Sequence, residues 1–184
     1  MIRGDSSDYD LLEKWTKDFD CNGYKTCEIG VREGLGSKII IDNTINSYIH
    51  VGVDPYGNLK YQHYDNTGKY TCDYTDEMRD TMLNDFKPYR NQGRFTLCNM
   101  TDTQFMNETE HRFSTFAFVH FDGPHMTKDV MTEAVWFANR SESGARFVFD
   151  DYTKYNMALI AQVLELYNFK VHESGKNKCL MIKQ

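Results

Sequence analysis

The sequence lacks three features that would each assign it to a broad class of protein. None of its five cysteines forms a C-x-x-C pair and their number is odd, so neither a zinc site nor a disulfide framework is indicated. No cluster of lysine and arginine occurs and the formal net charge is −6, which disfavours nucleic acid as a partner. No apolar run approaches the roughly 18 residues that span a bilayer, and the polar, acidic N-terminus is not typical of a signal peptide. These absences predict a cytoplasmic protein without a membrane partner.

The chain of 184 residues is long enough for one domain with a sizeable core. An aromatic content of 14% argues against disorder. Strand and helix patterns alternate about five times and end in two strands, which predicts an α/β protein with a mostly parallel sheet and right-handed crossovers. We therefore expect a doubly wound three-layer sandwich over residues 25–184, preceded by an N-terminal helical segment over residues 1–24.

Two short apolar runs each end in acidic residues. Phe116–Phe121 leads into Asp122-Gly-Pro-His125, and Arg146–Phe149 leads into Asp150-Asp151. Such runs are typical of buried strands, and in open α/β sheets ligands bind beyond the carboxyl ends of the strands. If the two strands are neighbours, three carboxylates and a histidine converge there. The pattern predicts a site for a hard divalent cation and a base.

The first β-α turn, Glu28-Ile-Gly30-Val-Arg32-Glu-Gly34, has the form acid-x-Gly-x-x-x-Gly. Arg32 stands where the dinucleotide-binding fingerprint requires glycine, which argues against NAD or FAD. The turn resembles that of class I S-adenosylmethionine-dependent methyltransferases, whose Rossmann-like sheet also ends in an antiparallel strand. The resemblance implies that the acid on the first strand lies near the methionine moiety of the cofactor, and that the backbone of the turn approaches the cofactor.

Two further positions agree with this resemblance. Asp54 ends the second strand, where the family places an acid on the ribose hydroxyls, and Asp102 follows the third, where an acid often lies near the adenine amino group. The implied cofactor-binding set is Glu28, Gly30, Gly34, Asp54, Asp102 and Asp122.

The acid-ended strands resemble, more narrowly, the metal-binding segments of the macrocin- and mycinamicin-type O-methyltransferases and of the cephalosporin-hydroxylase-like group. That resemblance implies that Asp122, Asp150 and Asp151 ligate magnesium and that His125, three residues after the first acid, is the general base. It also implies methyl transfer to a hydroxyl of a small molecule such as a sugar.

Simpler explanations stay open for each acid. Asp150 and Asp151 could cap the following helix, Asp122 could belong only to a turn, and Asp102 could cap the helix after Thr103. His125 could be a surface residue. His120, inside the strand, is expected to be a buried, hydrogen-bonded histidine and not a ligand.

Alternative functions also stay open. The chain could be a binder or hydroxylase-like protein that shares the fold without methyl transfer, or, against its acidic charge, a nucleic-acid methyltransferase. The expected partner is a hydroxylated small molecule, and a homo-oligomer is compatible with the short N-terminal segment. The polar loop over residues 57–73 is the expected lid of the site.

Overall fold

Nine β-strands are present in a computed structural model, which describes residues 2–4, 6–62, 68–108 and 114–184. They are β1 (Lys25–Ile29), β2 (His50–Val53), β3 (Lys60–Gln62), β4 (Lys69–Thr71), β5 (Phe95–Cys98), β6 (Phe116–Phe121), β7 (Arg146–Phe149), β8 (Phe169–Ser174) and β9 (Cys179–Lys183). Strands β3 and β4 pair only with each other, as an antiparallel hairpin, and the other seven form one sheet.

Seven helices connect the strands within the same described ranges. They are α1 (Tyr9–Thr16), α2 (Leu35–Asn43), α3 (Asp76–Asp85), α4 (Lys87–Asn91), α5 (Asp102–Asn107), α6 (Thr127–Ala138) and α7 (Met157–Glu165). None of these helices is long and apolar enough to cross a membrane.

The order of strands across the large sheet is β5-β2-β1-β6-β7-β9-β8. Neighbours are parallel except at β9, which is antiparallel to both β7 and β8. The predicted fold class is therefore confirmed, including the antiparallel C-terminal strand. The acid-ended strands β6 and β7 are neighbours, as predicted. The order of strands reverses between β1 and β6, and at such a switch point an open sheet leaves a crevice for ligands.

Side chains alternate between the two faces of the sheet and give each face its own apolar core. Phe118, Val148 and Leu180 pack against helices α1 and α2 on one face. Val119 and Phe147 belong to a larger core on the other face, which includes residues of α5, α6 and α7. The sheet is thus the middle layer of a three-layer sandwich, and its polar chemistry is confined to the strand ends and a few buried sites.

A local polar contact sets the beginning of α3. The side chain of Thr75 accepts a hydrogen bond from the backbone N–H of Met78, so the helix begins at Asp76. The expected lid over residues 57–73 contains the β3–β4 hairpin. Residues 63–67 of that loop lie outside the described residues.

The N-terminal segment packs closely on the rest of the chain. Leu12 and Trp15 of α1 are at most 3% exposed and share a core with Ile40 of α2. The carboxylate of Asp8 accepts a hydrogen bond from the backbone N–H of Asn177, 2.7 Å away. These contacts place the beginning of the chain beside the turn that precedes β9.

Candidate functional site

One cavity of about 450 Å³ opens at the carboxyl ends of β1, β6 and β7. Five of the predicted site residues line this cavity: Glu28, Gly30, Asp122, His125 and Asp151. Ser6 and Tyr9 of the N-terminal segment form part of its wall. A smaller adjoining pocket shares Gly30, Asp122 and Gly123 with it and reaches Asp54 and Asp102. The two pockets together outline an elongated site at the switch point of the sheet.

The turn after β1 is shaped for close approach of backbone. Gly30 has a φ of +87°, and a Cβ atom there would lie 2.1 Å from the backbone oxygen of Asp122. Gly34 has a φ of +90° at the start of α2. Arg32 adopts a φ of +49°, a left-handed conformation that residues other than glycine rarely take. Arg32, which replaces the glycine of the dinucleotide fingerprint, therefore still adopts a backbone conformation that is typical of glycine.

Asp54 holds this turn in place. Its Oδ2 atom accepts hydrogen bonds from the backbone N–H groups of Val31 and Arg32, both at 2.9 Å. Burial nevertheless raises the pKa of Asp54 to about 6, against the lowering effect of these two N–H donors. The Sγ atom of Cys72 lies 3.9 Å from the other carboxylate oxygen. The predicted contact with ribose stays a prediction, and it would have to use that second oxygen.

Glu28 is buried on β1 and lies at the centre of a chain of hydrogen bonds. Its Oε1 atom is 2.7 Å from Nδ1 of His120, and its Oε2 atom accepts from the Ser37 hydroxyl at 2.5 Å. That hydroxyl lies 3.0 Å from Nε2 of His50. Burial lowers the pKa of His50 to about 3. Nδ1 of His50 lies 2.8 Å from the hydroxyl of Thr26. The expectation that His120 is a buried, hydrogen-bonded histidine is confirmed.

Asp150 is fully buried behind the cavity and forms an ion pair with Lys178. Nζ of Lys178 lies 2.5 Å from Oδ2 of Asp150, and both side chains are 0% exposed. Burial by itself raises the pKa of Asp150, but the Lys178 ammonium and a hydrogen bond from Ser6 act against it, and that pKa lies below its usual value. The neighbouring Asp122 behaves in the opposite way. Desolvation of its carboxyl group and the nearby Asp150 hold the pKa of Asp122 well above its usual range.

Asp151 turns towards the cavity and pairs with three groups. Its Oδ2 atom lies 3.3 Å from Nε2 of His125 and 2.5 Å from Nζ of Lys154, and its Oδ1 accepts from the Asn177 amide. Asp151 adopts a φ of +49°, a left-handed conformation that residues other than glycine rarely take. Burial lowers the pKa of His125, with Asp151 acting in the opposite direction. A neutral His125 at neutral pH is thus available to accept a proton.

The predicted magnesium ligands do not form a common ligand set. In the part of the chain that the structure describes, the one group of three metal-ligand side chains within 4.8 Å of each other is Glu28, His120 and Asp122. Asp150 and Asp151 are each already paired with a lysine. These contacts do not fit a divalent cation held by Asp122, Asp150 and Asp151. The capping alternative fails as well, because the side chain of Asn156 caps α7.

Asp102 lies in the first turn of α5, at the end of the smaller pocket. It is not the cap of that helix, because Thr101 and Gln104 form a reciprocal capping box there. Asp102 lies against Glu133 of α6, and burial together with Asp102 raises the pKa of Glu133 well above its usual range. A role of Asp102 beside adenine stays a prediction.

Sequence reasoning missed the residues that neutralise and orient the acids. Lys178 stands just before a strand, between Asn177 and Cys179, where a lysine is ordinarily exposed. Ser37 and His50 lie in otherwise apolar segments of α2 and β2, without a recognisable motif. The packing of α2 against β1 brings Ser37 to Glu28, and the pairing of β1 with β2 brings His50 to Ser37.

No protein-family model and no curated protein sequence matches this chain. Several solved structures resemble it over nearly its whole length. An O-methyltransferase from Bacillus cereus in complex with S-adenosylhomocysteine has a TM-score of 0.60 at 12% identity, covering 98% of this chain and 83% of that one. An rRNA methylase from Streptococcus thermophilus has a TM-score of 0.57 at 9% identity, covering 96% and 94%. A ribosomal protein L11 methylase from Lactobacillus delbrueckii has a TM-score of 0.56 at 10% identity, covering 95% and 75%.

The names of these three structures refer to an oxygen acceptor, to ribosomal RNA and to a ribosomal protein. At 9–12% identity the likeness shows a shared fold and not a shared substrate. The chain therefore has the fold of these methyltransferases. What its own site does must be argued from its own residues.

Proposed function

We propose that the protein transfers a methyl group from S-adenosylmethionine to a hydroxyl group of a small molecule. The observation that carries the proposal is that one cavity joins the glycine turn after β1 to the histidine after β6. Glu28 and Gly30 line that cavity on one side, and His125 and Asp151 line it on another. The fold shared with methyltransferases supports the cofactor, and the cavity size suits a small acceptor.

The residues around the pockets suit the parts of this cofactor. The glycine turn lets backbone approach it closely, Glu28 provides a carboxylate for the ammonium of its methionine part, and Asp54 and Asp102 lie in the pocket proposed for its nucleoside. When bound, S-adenosylmethionine supplies a methyl group on a positively charged sulfur.

His125 acts as the general base in the proposed reaction. Because Asp151 lies beside Nε2, Nδ1 of His125 takes the proton of the substrate hydroxyl. With S-adenosylmethionine bound, the hydroxyl oxygen would form a bond to the methyl carbon as the carbon–sulfur bond breaks, and the electron pair of that bond would stay on sulfur. Asp151 then stabilises the imidazolium that has formed. The step is proposed without a metal ion, because Asp150 is already paired with the buried Lys178.

Calorimetric titration with S-adenosylmethionine and S-adenosylhomocysteine tests the cofactor assignment. We expect one binding site per chain in the wild-type protein and weaker binding in Glu28→Gln. Absence of binding of either compound would overturn the proposal.

Release of S-adenosylhomocysteine, measured against a panel of catechols and sugars, tests the role of His125. We expect His125→Gln to bind cofactor normally and to lose roughly 10²–10⁴-fold in turnover. Wild-type activity should fall as the pH drops through the pKa of His125, which lies below the ordinary 6.5. Cofactor binding without turnover of any acceptor would favour a binder that shares the fold.

A further inference from the structure

We propose that Lys178 is a built-in cation that takes the place of a divalent metal ion in this acidic site. Lys178 immediately precedes β9, the antiparallel strand inserted beside β7. Its side chain is 0% exposed, although lysine is among the residues least often buried without a charged partner. One of the two positive charges that a magnesium ion would bring is therefore present in the chain itself.

Every hydrogen of the Lys178 ammonium has an acceptor. Nζ lies 2.5 Å from Oδ2 of Asp150, 3.1 Å from the Ser6 hydroxyl and 3.4 Å from Nε2 of His120. An ammonium has three donors and no acceptor, so these three contacts satisfy it completely. The ring of Tyr9 adds a fourth contact, with its centroid 5.1 Å from Nζ.

The position of Lys178 fixes the direction of the hydrogen bonds that lead to Glu28. Because Lys178 can only donate, Nε2 of His120 is the acceptor and Nδ1 carries the hydrogen. Nδ1 then donates to Oε1 of Glu28, while the Ser37 hydroxyl donates to Oε2. Both oxygens of Glu28 therefore accept a hydrogen bond.

An ammonium in this position excludes a second cation by charge. A divalent ion on Asp150 would lie within a few ångströms of the Lys178 nitrogen, where like charges repel strongly in a buried setting. Glu28 and His120, two of the three side chains that lie close enough together for a metal, are already hydrogen-bonded to each other. Lys178 thus neutralises Asp150 directly and reaches Glu28 through His120.

The N-terminal segment keeps this cation away from water. Ser6 and Tyr9 contact the ammonium, and Asp8 accepts a hydrogen bond from the backbone of Asn177, next to Lys178. A hydrated metal ion would need an open path and several waters at this point, whereas the lysine is held there by the turn that precedes β9.

Titration of the wild-type protein with Mn²⁺, followed by electron paramagnetic resonance of the free ion, tests the exclusion of metal. We expect no stoichiometric binding with a dissociation constant tighter than about 1 mM. Binding of one Mn²⁺ per chain that Asp150→Asn abolishes would overturn the proposal. The measurement needs neither cofactor nor substrate, so its outcome does not depend on whether the proposed methyl transfer is correct. Only the functional role of the Lys178 cation rests on the proposed function.

A double-mutant cycle tests the charge pairing. Lys178→Met keeps much of the side-chain volume but leaves Asp150 unpaired, so we expect a large drop in the urea midpoint of unfolding. Adding Asp150→Asn to Lys178→Met should restore much of that loss, because it removes the orphaned charge. Lys38→Met, which breaks an exposed pair with Asp42, serves as the control and should change the midpoint little.

Independent effects of the two substitutions would overturn the proposal, since an ion pair requires coupling. If Lys178→Met does not fold, the double variant and the Mn²⁺ titration of the wild type still test the proposal. A folded double variant with no Mn²⁺ binding by the wild type supports the built-in cation. A double variant that also does not fold, together with Mn²⁺ binding by the wild type, rejects it.

Discussion

Asp150 and Asp54 follow strands of the same sheet, and both are at most 1% exposed, yet their pKa values shift in opposite directions. The pKa of Asp54 rises to about 6 because burial outweighs two backbone N–H donors. The pKa of Asp150 falls because the ammonium of Lys178 counteracts burial. Two similar acids in similar places thus lose their charge at different pH values because, among the described residues, an ammonium pairs with Asp150 whereas backbone N–H groups bind Asp54.

The comparison shows how one sheet edge provides two chemically different half-sites. The half with Asp150 contains a paired charge, and its neutralisation leaves His125 and Asp151 to face the cavity. In the half with Asp54, the described partners of the carboxylate are backbone N–H groups and a thiol, so that acid is suited to accept hydrogen bonds and its pKa is raised. Four changes can break or sharpen this contrast.

Asp150→Asn should have the largest effect, because it leaves the buried ammonium of Lys178 without its counter-charge. We expect a loss of about 3–5 kcal/mol in the free energy of unfolding, measured in urea at pH 7. Asp42→Asn, at an exposed pair with Lys38, is the control and should cost under about 1 kcal/mol. An equally small cost for Asp150→Asn would mean that the ion pair does not hold the site together.

Asp54→Asn should remove a pH dependence of the free energy of unfolding, because the pKa of Asp54 is shifted in the opposite direction from that of Asp150. The pKa of Asp54 is raised when folded, so its protonated form stabilises the fold at low pH and that stability is lost as the pH rises to about 6. Relative to Asp54→Asn, the wild type should lose up to about 3 kcal/mol between pH 4 and pH 7. Urea unfolding of both proteins across this range measures the difference. Parallel curves would contradict the raised pKa.

Gly36→Ala tests how tightly the side chain of Glu28 is enclosed. Glu28 is linked to Lys178 by hydrogen bonds through His120. A Cβ atom at Gly36 would lie within van der Waals overlap of Oε1 of Glu28. Alanine favours a helix over glycine by roughly 1 kcal/mol, but the overlap should outweigh this and destabilise the protein by about 1–3 kcal/mol.

Thermal and urea unfolding of Gly36→Ala would both report that cost. Gly144→Ala is a useful contrast, because its surroundings are open and only its φ of +88° opposes a side chain. A stabilised Gly36→Ala would show that Glu28 moves freely, and the bond to His120 would then be loose.

Cys72→Ser should have the smallest effect, since it replaces a weak donor to Asp54 by a stronger one. We expect the pKa of Asp54 to fall towards its ordinary value and the pH dependence of stability to shrink by under about 1 kcal/mol. Cys27→Ser, buried without a contact to Asp54, should shift stability but leave that pH dependence unchanged. The same pH series of urea unfolding separates the two variants.

The fold and the positions of the acids could be predicted because local sequence patterns specify them. The run Phe116–Phe121 is fully buried, and Asp122 follows it where any acid after a parallel strand must reach the ligand-binding edge of the sheet. Asp54 and Asp150 hold equivalent positions after β2 and β7. The glycine turn was also predictable, because its residues determine the backbone conformation.

The partners of those acids were not predictable, because they come from distant parts of the chain. Lys178 is 28 positions from Asp150 and 172 from Ser6, and no local pattern marks it. The hypothesis of three metal-binding carboxylates was based on the acidic residues alone. It did not include Lys178, which neutralises Asp150.

The sequence by itself thus determined the layers, the order of the elements and the edge at which the polar groups collect, since periodicity and turn residues act over a few positions. Only the tertiary structure decided the charge of each acid. A carboxylate's ionisation depends on every group within a few ångströms. Around Asp150 those groups come from the turn before an antiparallel strand and from the N-terminal segment, both of which are distant from Asp150 in the sequence.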